Sequence, residues 1–463
     1  MSRTVSALLP LLLFSSISLA GAGPAERLSQ AVQYQTVSYQ DRSQINYDEF
    51  RRFHQFLRAS YPLVFGQLEV ETVNDYSLLI RWPGSDPTLP PVLFTAHMDV
   101  VPIEPGTEHD WQYPPFAGVI ADERVYGRGT LDDKQGLLSI LEAAESLLAE
   151  GFVPPRTLVF AFGHDEEISG RDGAAKLAAR MQALGWHFAW MVDEGGMLIT
   201  DNPLLPDKVL ALINVAEKGY LTLTLTASGA GGHSSRPPKV STIGRLSAAL
   251  ERIEENPFPT RLVGPVAAML ESVAPYVGQP NRFVFGNLWL TGGLVANRMS
   301  DDPLTNAYVR TTTALTMFNA GVKENVIPQR AEARVNFRLL PGDTPASVVS
   351  RITELVNDPQ IEISYDEWDQ VPGVSDYQGG GFAVIAAAIS SVYPDAVVVP
   401  SLLIATTDTR HYIDLSDDQY RFQGMVIDTS QAQSVHGTNE YIGVQSYVKS
   451  IEVARQMMKL GAL

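Results

Sequence analysis

Three short apolar runs, each unbroken and each closed by a side chain able to bind metal, constrain the fold of this chain most. Residues 92–96 (V-L-F-T-A) lead into His97 and Asp99, and residues 158–162 (L-V-F-A-F) into Asp165, Glu166 and Glu167. Residues 190–192 lead into Asp193. A run without polar alternation reads as a strand buried on both faces, which calls for a sheet covered by helices. Residues 135–150 supply an amphipathic helix between the first two runs. Strand, helix and strand, with acids where strands end, is the α/β pattern, and a mixed sheet with helices around it is expected.

Two further signatures lie outside these runs: G-R-G-T-L-D-D-K at 127–134 and V-H-G-T-N-E at 435–440. With them, His97, Asp132, Glu167, Asp193 and His436 form a dispersed set of imidazoles and carboxylates. Two divalent ions about 3.5–4 Å apart polarise a carbonyl and activate a water. Such a site needs a carboxylate between the ions, ligands on each and a base that binds neither. Asp132 is suited to the bridge and Glu166 to the base. Asp99 can accept the second N–H of His97 and fix its tautomer. Each signature alone also fits a structural reading. Asp132-Asp133 can cap the helix that follows, and Asp165-Glu166-Glu167 can favour a helix dipole.

Around Glu217-Lys218-Gly219 the texture changes. Residues 221–227 (L-T-L-T-L-T-A) alternate strictly, as do Ala333, Val335, Phe337 and Leu339 against Arg334, Asn336 and Arg338. Period-two alternation marks strands with one face on a core. Helices are expected near 241–255 and 345–357. Residues 216–370 are therefore expected to form an inserted α+β domain with an open sheet. It would interrupt a catalytic domain made of 24–215 and 371–463, and two cores suit a chain of 463 residues.

A net charge of −18 leaves no basic footprint, so no nucleic-acid partner is expected. Residues 1–20 carry Arg3, an apolar stretch and S-L-A, the pattern of an export signal cleaved after Ala20. A periplasmic or secreted protein follows from that reading. No other stretch approaches 18 uninterrupted apolar residues, so no membrane span is expected after cleavage. Cysteine is absent, which excludes a thiol nucleophile and a thiolate zinc site. Any metal must be bound by His and carboxylate.

Together the motifs resemble the co-catalytic zinc peptidases that include glutamate carboxypeptidase, aminoacylase and carboxypeptidase S, over nearly the whole mature chain. The resemblance implies two divalent metal ions, zinc foremost and cobalt or manganese otherwise. It implies His97, Asp132, Glu167, Asp193 and His436 as their ligands, with Asp132 bridging. It also implies Glu166 as general base and proton shuttle, Asp99 as the residue orienting His97, and a cis Asp132–Asp133 bond. The inserted domain becomes a lid. His233, in G-G-H-S-S, would assist the oxyanion, while Asn325, in K-E-N-V-I-P, and Arg338 would hold the substrate's terminal carboxylate. Arg338 falls on the free face of its strand, and a guanidinium grips carboxylate bidentately. The stretch T-D-T-R-H-Y at 407–412, with Arg410, resembles the carboxypeptidase S branch and is expected to line the substrate site. That branch includes secreted enzymes that make and cleave N-fatty-acyl amino acids. Some relatives dimerise through the lid domain, which makes a homodimer a candidate state.

The expected activity is cleavage, or the reverse condensation, of the amide beside a C-terminal amino acid with a free carboxylate. The substrate would be a small peptide or an N-acyl amino acid. A catalytically silent periplasmic binding protein is the rival reading, opposed by the presence of Glu166 with five ligand candidates. A serine hydrolase is opposed by the lack of G-x-S-x-G. Apolar residues between 258 and 309, among them Phe283, Phe285, Leu288 and Trp289, suit a core first and an acyl pocket second.

Overall fold

The computed structural model describes residues 22–365 and 370–463. The export signal expected at 1–20 lies outside the described residues. The strands that position the site are, in chain order, β1 (Glu69–Val73), β2 (Ser77–Trp82), β3 (Val92–His97), β4 (Leu158–Gly163), β5 (Trp190–Asp193) and β6 (Leu210–Glu217). They are followed by β7 (Gly219–Ser228), β8 (Thr312–Ala320), β9 (Arg330–Leu339), β10 (Ile361–Ser364), β11 (Val397–Leu403) and β12 (Gln419–Arg421).

A ten-stranded mixed sheet runs in the order β1-β2-β4-β3-β5-β12-β6 and continues into the short strands Leu198–Ile199 and Val426–Ile427. β11 also pairs with β6. Every residue of β3, β4 and β5 is buried. The reason is cover on both faces. Phe94 and Phe160 join Leu137, Leu138 and Leu141 of the helix Lys134–Ala149 in one core. Leu93 and Val159, one residue away in each strand, join Leu177 and Met181 of the helix Ala174–Ala183 in another. β3 lies parallel to both β4 and β5. Their carboxyl ends therefore share one edge of the sheet, where open α/β sheets gather functional groups.

The second sheet runs β8-β9-β7-β10 and is antiparallel throughout. Leu221, Leu223, Leu225, Val335 and Phe337 give it one apolar face. That face packs on Leu246, Ile253, Val348 and Ile352 of the helices Thr242–Glu255 and Pro345–Val356. Ser241 and Thr344 cap these helices through their side chains, so their starts are fixed locally.

The helices Gly264–Val273, Asn281–Phe285 and Leu288–Met299 pack on the large sheet. Val266, Leu270, Phe285 and Leu288 share a core with Leu210 of β6 and Val397 and Val399 of β11. Phe285 and Leu288 are thus core residues. Phe283 and Trp289 are 55% and 85% exposed, so core packing does not account for them. Among the described residues no helix is long and apolar enough to cross a membrane.

Candidate metal centre

β3 ends at His97, whose ring is buried. Its Nδ1 lies 3.0 Å from the carbonyl oxygen of Asp99 and 3.4 Å from the carboxylate of the same residue. That directs Nε2 outward, 2.9 Å from Asp132 Oδ1 and 3.4 Å from Glu194 Oε1. The other oxygen of Asp132 lies 3.1 Å from His436 Nε2, which also stands 3.2 Å from Glu167 Oε2. Two triads result, His97–Asp132–Glu194 and Asp132–Glu167–His436, each with its ligand atoms within 4.8 Å of one another. Asp132 belongs to both.

Asp132 is presented by a loop gripped from the other end of the chain. Glu440 Oε1 accepts from the backbone N–H groups of Gly129 at 3.1 Å, Leu131 at 2.7 Å and Asp132 at 3.3 Å. Its Oε2 pairs with the buried Arg128 at 2.6 Å. Arg128 in turn donates to the carbonyls of His436 at 3.2 Å and Gly437 at 3.0 Å. The two ligand loops therefore clamp each other. Both residues stand inside the motifs G-R-G-T-L-D-D-K and V-H-G-T-N-E, but nothing in sequence pairs them. The Asp132–Asp133 bond is cis. Asp133 stands at the N-cap position of the helix Lys134–Ala149 without a side-chain capping hydrogen bond, and its Oδ2 instead accepts from the backbone N–H of His97 at 3.3 Å.

Electrostatics show how strongly the cluster demands positive charge. Asp132 and Glu167 raise the His436 imidazole to about 10. Burial alone would lower His97, but Glu194, Asp132 and Asp99 outweigh it and raise that ring well above its usual range. Burial, then the charge of Asp132, pushes Glu167 up to about 7. Both shifts reflect an excess of carboxylate charge around the imidazoles, which a bound cation would relieve. The geometry fits one: ligand atoms about 2.0–2.2 Å from a tetrahedral ion stand roughly 3.3–3.6 Å apart. Glu167 Oε1 is buried without a hydrogen-bond partner, as an atom reserved for an ion would be.

Asp193, a sequence candidate, is in neither triad. It ends β5, is buried, and keeps one carboxylate oxygen without a hydrogen-bond partner. The next residue, Glu194, is the one at His97.

Glu166 opens the turn Glu166–Ile168 after β4. Burial, then the charge of Asp408, pushes its carboxyl well above the usual range, while His97 and Arg410 act the other way. Arg410 sits on the turn Asp408–His411 and influences Asp408 in the same sense. Arg338 stacks over the Tyr220 ring at 4.7 Å and donates to Thr406 Oγ1 at 3.3 Å, which links the second sheet to the T-D-T-R-H-Y loop. His233 and Asn325 share a small ribbon in which Gly232–His233 pairs with Val326–Ile327. His233 is exposed and its Nδ1 accepts from the Ser235 N–H at 3.1 Å; neither residue joins a triad.

Comparison with known proteins places these features in a wider setting. The profile described as Peptidase family M20/M25/M40 matches residues 93–460. The chain is 40% identical over 442 residues to the N-fatty-acyl-amino acid synthase/hydrolase PM20D1 of Bos taurus, covering 94% of this chain and 87% of that one. It is 32% identical over 479 residues to carboxypeptidase S of Saccharomyces cerevisiae, covering 92% and 82%. The solved structure of Sso-CP2, an M20 family metallo-carboxypeptidase from Sulfolobus solfataricus, superposes with a TM-score of 0.69. That match has 17% identity and covers 95% of this chain and 99% of the other, so it shows a shared fold.

Proposed function

The chain belongs to peptidase family M20/M25/M40, and on that premise we propose that it hydrolyses the amide beside a C-terminal amino acid with a free carboxylate. One observation carries the reading: two ligand triads share Asp132, with Glu166 next to the ligand Glu167. In this reading His97 and Glu194 would hold one ion and Glu167 and His436 the other, with Asp132 common to both groups. Geometry favours Glu194 over its neighbour Asp193. The donor set suits zinc, with cobalt or manganese as substitutes. When bound, such a pair supplies Lewis-acid polarisation of the scissile carbonyl and lowers the pKa of a water.

The chain's own groups do the rest. Glu166 takes the proton of the attacking water and returns it to the leaving amine; burial and the charge of Asp408 raise its carboxyl, which makes it a stronger base. Arg338 and Asn325 hold the substrate carboxylate, Arg410 lines the site beside Glu166, and His233 assists the oxyanion when the lid closes. The lid in this reading is 216–370, inserted between catalytic segments 24–215 and 371–463. Its edge strand β8 exposes Leu315, Met317 and Phe318, which supports pairing of two chains through the lid. Export through residues 1–20 completes the reading. The names of the relatives above favour N-acyl amino acids, with small peptides as the alternative.

The test is a panel of dipeptides, short N-acyl and long N-acyl amino acids offered to zinc- or cobalt-loaded protein. Turnover of one class and its loss in Glu166→Gln at unchanged metal content supports the reading. Substantial activity in Glu166→Gln removes the role given to that residue.

A further inference from the structure

The joint between the two sheets is made of three residues, two of which are anchored by their side chains. Glu217 ends β6 and Gly219 begins β7. Lys218, between them, donates from Nζ to the carbonyls of Ala307 at 3.0 Å and Arg310 at 2.9 Å, at the end of the helix Pro303–Val309. Glu217 points into the large sheet. Its Oε2 accepts from the Thr407 N–H at 3.1 Å, the Thr407 hydroxyl at 2.9 Å and the Thr409 hydroxyl at 3.0 Å. It also accepts from Arg421 Nε at 3.1 Å, and both side chains are 0% exposed. Thr409 Oγ1 accepts from Arg421 Nε at 3.1 Å as well, which closes the network.

A buried ion pair is weak evidence for stability, because apolar replacements are often neutral or stabilising by about 1–4 kcal/mol. The surroundings suggest another role. Thr407 and Thr409 flank Asp408 and begin the turn Asp408–His411. That turn rests on the one carrying Glu166. His411 Nε2 lies 2.9 Å from the carbonyl oxygen of Ser169, whose own N–H donates to Glu166 O at 2.8 Å. The Asp408 carboxylate fills the space over Gly170, a residue with φ +63° where a Cβ would collide with it. On its other side Arg421 stands opposite Asp193 in the β12–β5 pairing.

We propose that Glu217, with Arg421 and Thr409, forms a positioning device that seats the Asp408–His411 turn against Glu166 and ties it to the joint of the lid sheet. The proposal rests on the general-base reading of Glu166. The three residues act through the turn.

The experiment uses full-length, metal-loaded protein and a substrate that the parent hydrolyses. Thr409→Val keeps the side-chain shape and removes the hydroxyl, Thr409→Ser keeps the hydroxyl, and Glu217→Gln removes the charge. Asp358→Asn, which breaks the lid ion pair with Arg245, is the control. At parental metal content, Thr409→Val and Glu217→Gln are expected to lose kcat about tenfold to a hundredfold and to shift the pH profile. Thr409→Ser and Asp358→Asn stay near the parent in both. A Thr409→Val protein with parental kcat and pH profile overturns the proposal, and so does a Thr409→Ser protein as impaired as the valine variant. If Glu217→Gln does not fold, the two Thr409 variants decide alone. Failure of the Glu166 reading is separate, since it appears as turnover persisting in Glu166→Gln.

Discussion

Asp99 divides its carboxylate between two consecutive backbone N–H groups, Oδ1 accepting from Glu166 at 3.1 Å and Oδ2 from Glu167 at 3.2 Å. Its carbonyl oxygen meanwhile holds Nδ1 of His97 at 3.0 Å. One buried residue after β3 therefore sets both a histidine ring and the turn after β4. The H-x-D spacing matters for this reason: the strand delivers His97 to the sheet edge, and two residues on the chain can turn back to its neighbour strand.

Removing that carboxylate leaves two N–H groups without an acceptor, each costing about 1–3 kcal/mol when buried. Asp99→Ala is expected to lower kcat and to weaken metal affinity about 10–100-fold, with Asp99→Asn in between because its amide retains one acceptor oxygen. Metal titration and steady-state rates on the same preparations check this. Parental values in Asp99→Ala would mean that the turn holds its place without it.

Glu194 and Asp193 make opposite predictions although they are adjacent. Glu194 Oε1 is 3.4 Å from His97 Nε2, whereas Asp193 is the last residue of β5 and joins neither triad. Glu194→Gln is expected to remove one of two bound ions at moderate metal concentration. Asp193→Asn should keep both and weaken them by about 10–100-fold at most, as loss of an outer partner does. Metal content after dialysis, measured by atomic emission, separates the two. The reverse result would return the ligand role to Asp193.

That pair also shows where sequence reading stops. Unbroken apolar runs predict strands covered on both faces, and Leu93 and Phe94 do enter different cores. Strict alternation predicts the one-sided sheet that β7 and β9 form. Adjacent side chains at a strand end, however, leave in different directions. Which of two neighbouring acids meets His97 depends on where the strand stops, a matter of one residue. Arg128 and Glu440 were invisible for another reason: each reads as an ordinary charge until the fold closes a separation of 312 residues. Trp289 and Leu288 have the same apolar character and opposite exposure, because only tertiary packing decides which helix face is covered.

Acid stability should carry the mark of His54. Its Nε2 lies 2.9 Å from the Tyr76 carbonyl, and burial lowers the imidazole from 6.5 to about 4. Between those values the unfolded chain binds a proton that the folded chain does not, so stability rises with pH there and falls on acidification. Each unit of such a shift is worth about 1.4 kcal/mol. His54→Gln cannot take up that proton. Relative to the parent it is expected to gain stability as pH falls from 6.5 towards 4, read as a difference in denaturant midpoints on metal-loaded protein. A difference that stays constant with pH would exclude His54 as a source of acid sensitivity.

Arg338 offers the sharpest test of what the substrate ends in. Its guanidinium carbon stands 4.7 Å from the centre of the Tyr220 ring and its Nη1 donates to Thr406, so the group is held in place before a substrate arrives. Hydrogen bonds to a charged group are worth about 1.5–3 kcal/mol, so Arg338→Ala should raise KM roughly tenfold to a hundredfold for a substrate with a free carboxylate. The same substrate blocked as its amide should lose much less, because it never made the charged contact. Arg338→Lys should fall between, since an ammonium keeps the charge and lacks the planar fork. Parent and variants are compared on the free acid and the amide in parallel. If the alanine variant still prefers the free acid as strongly as the parent, another cation reads the carboxylate. Arg410, whose charge already acts on Glu166, would then be the residue to replace next.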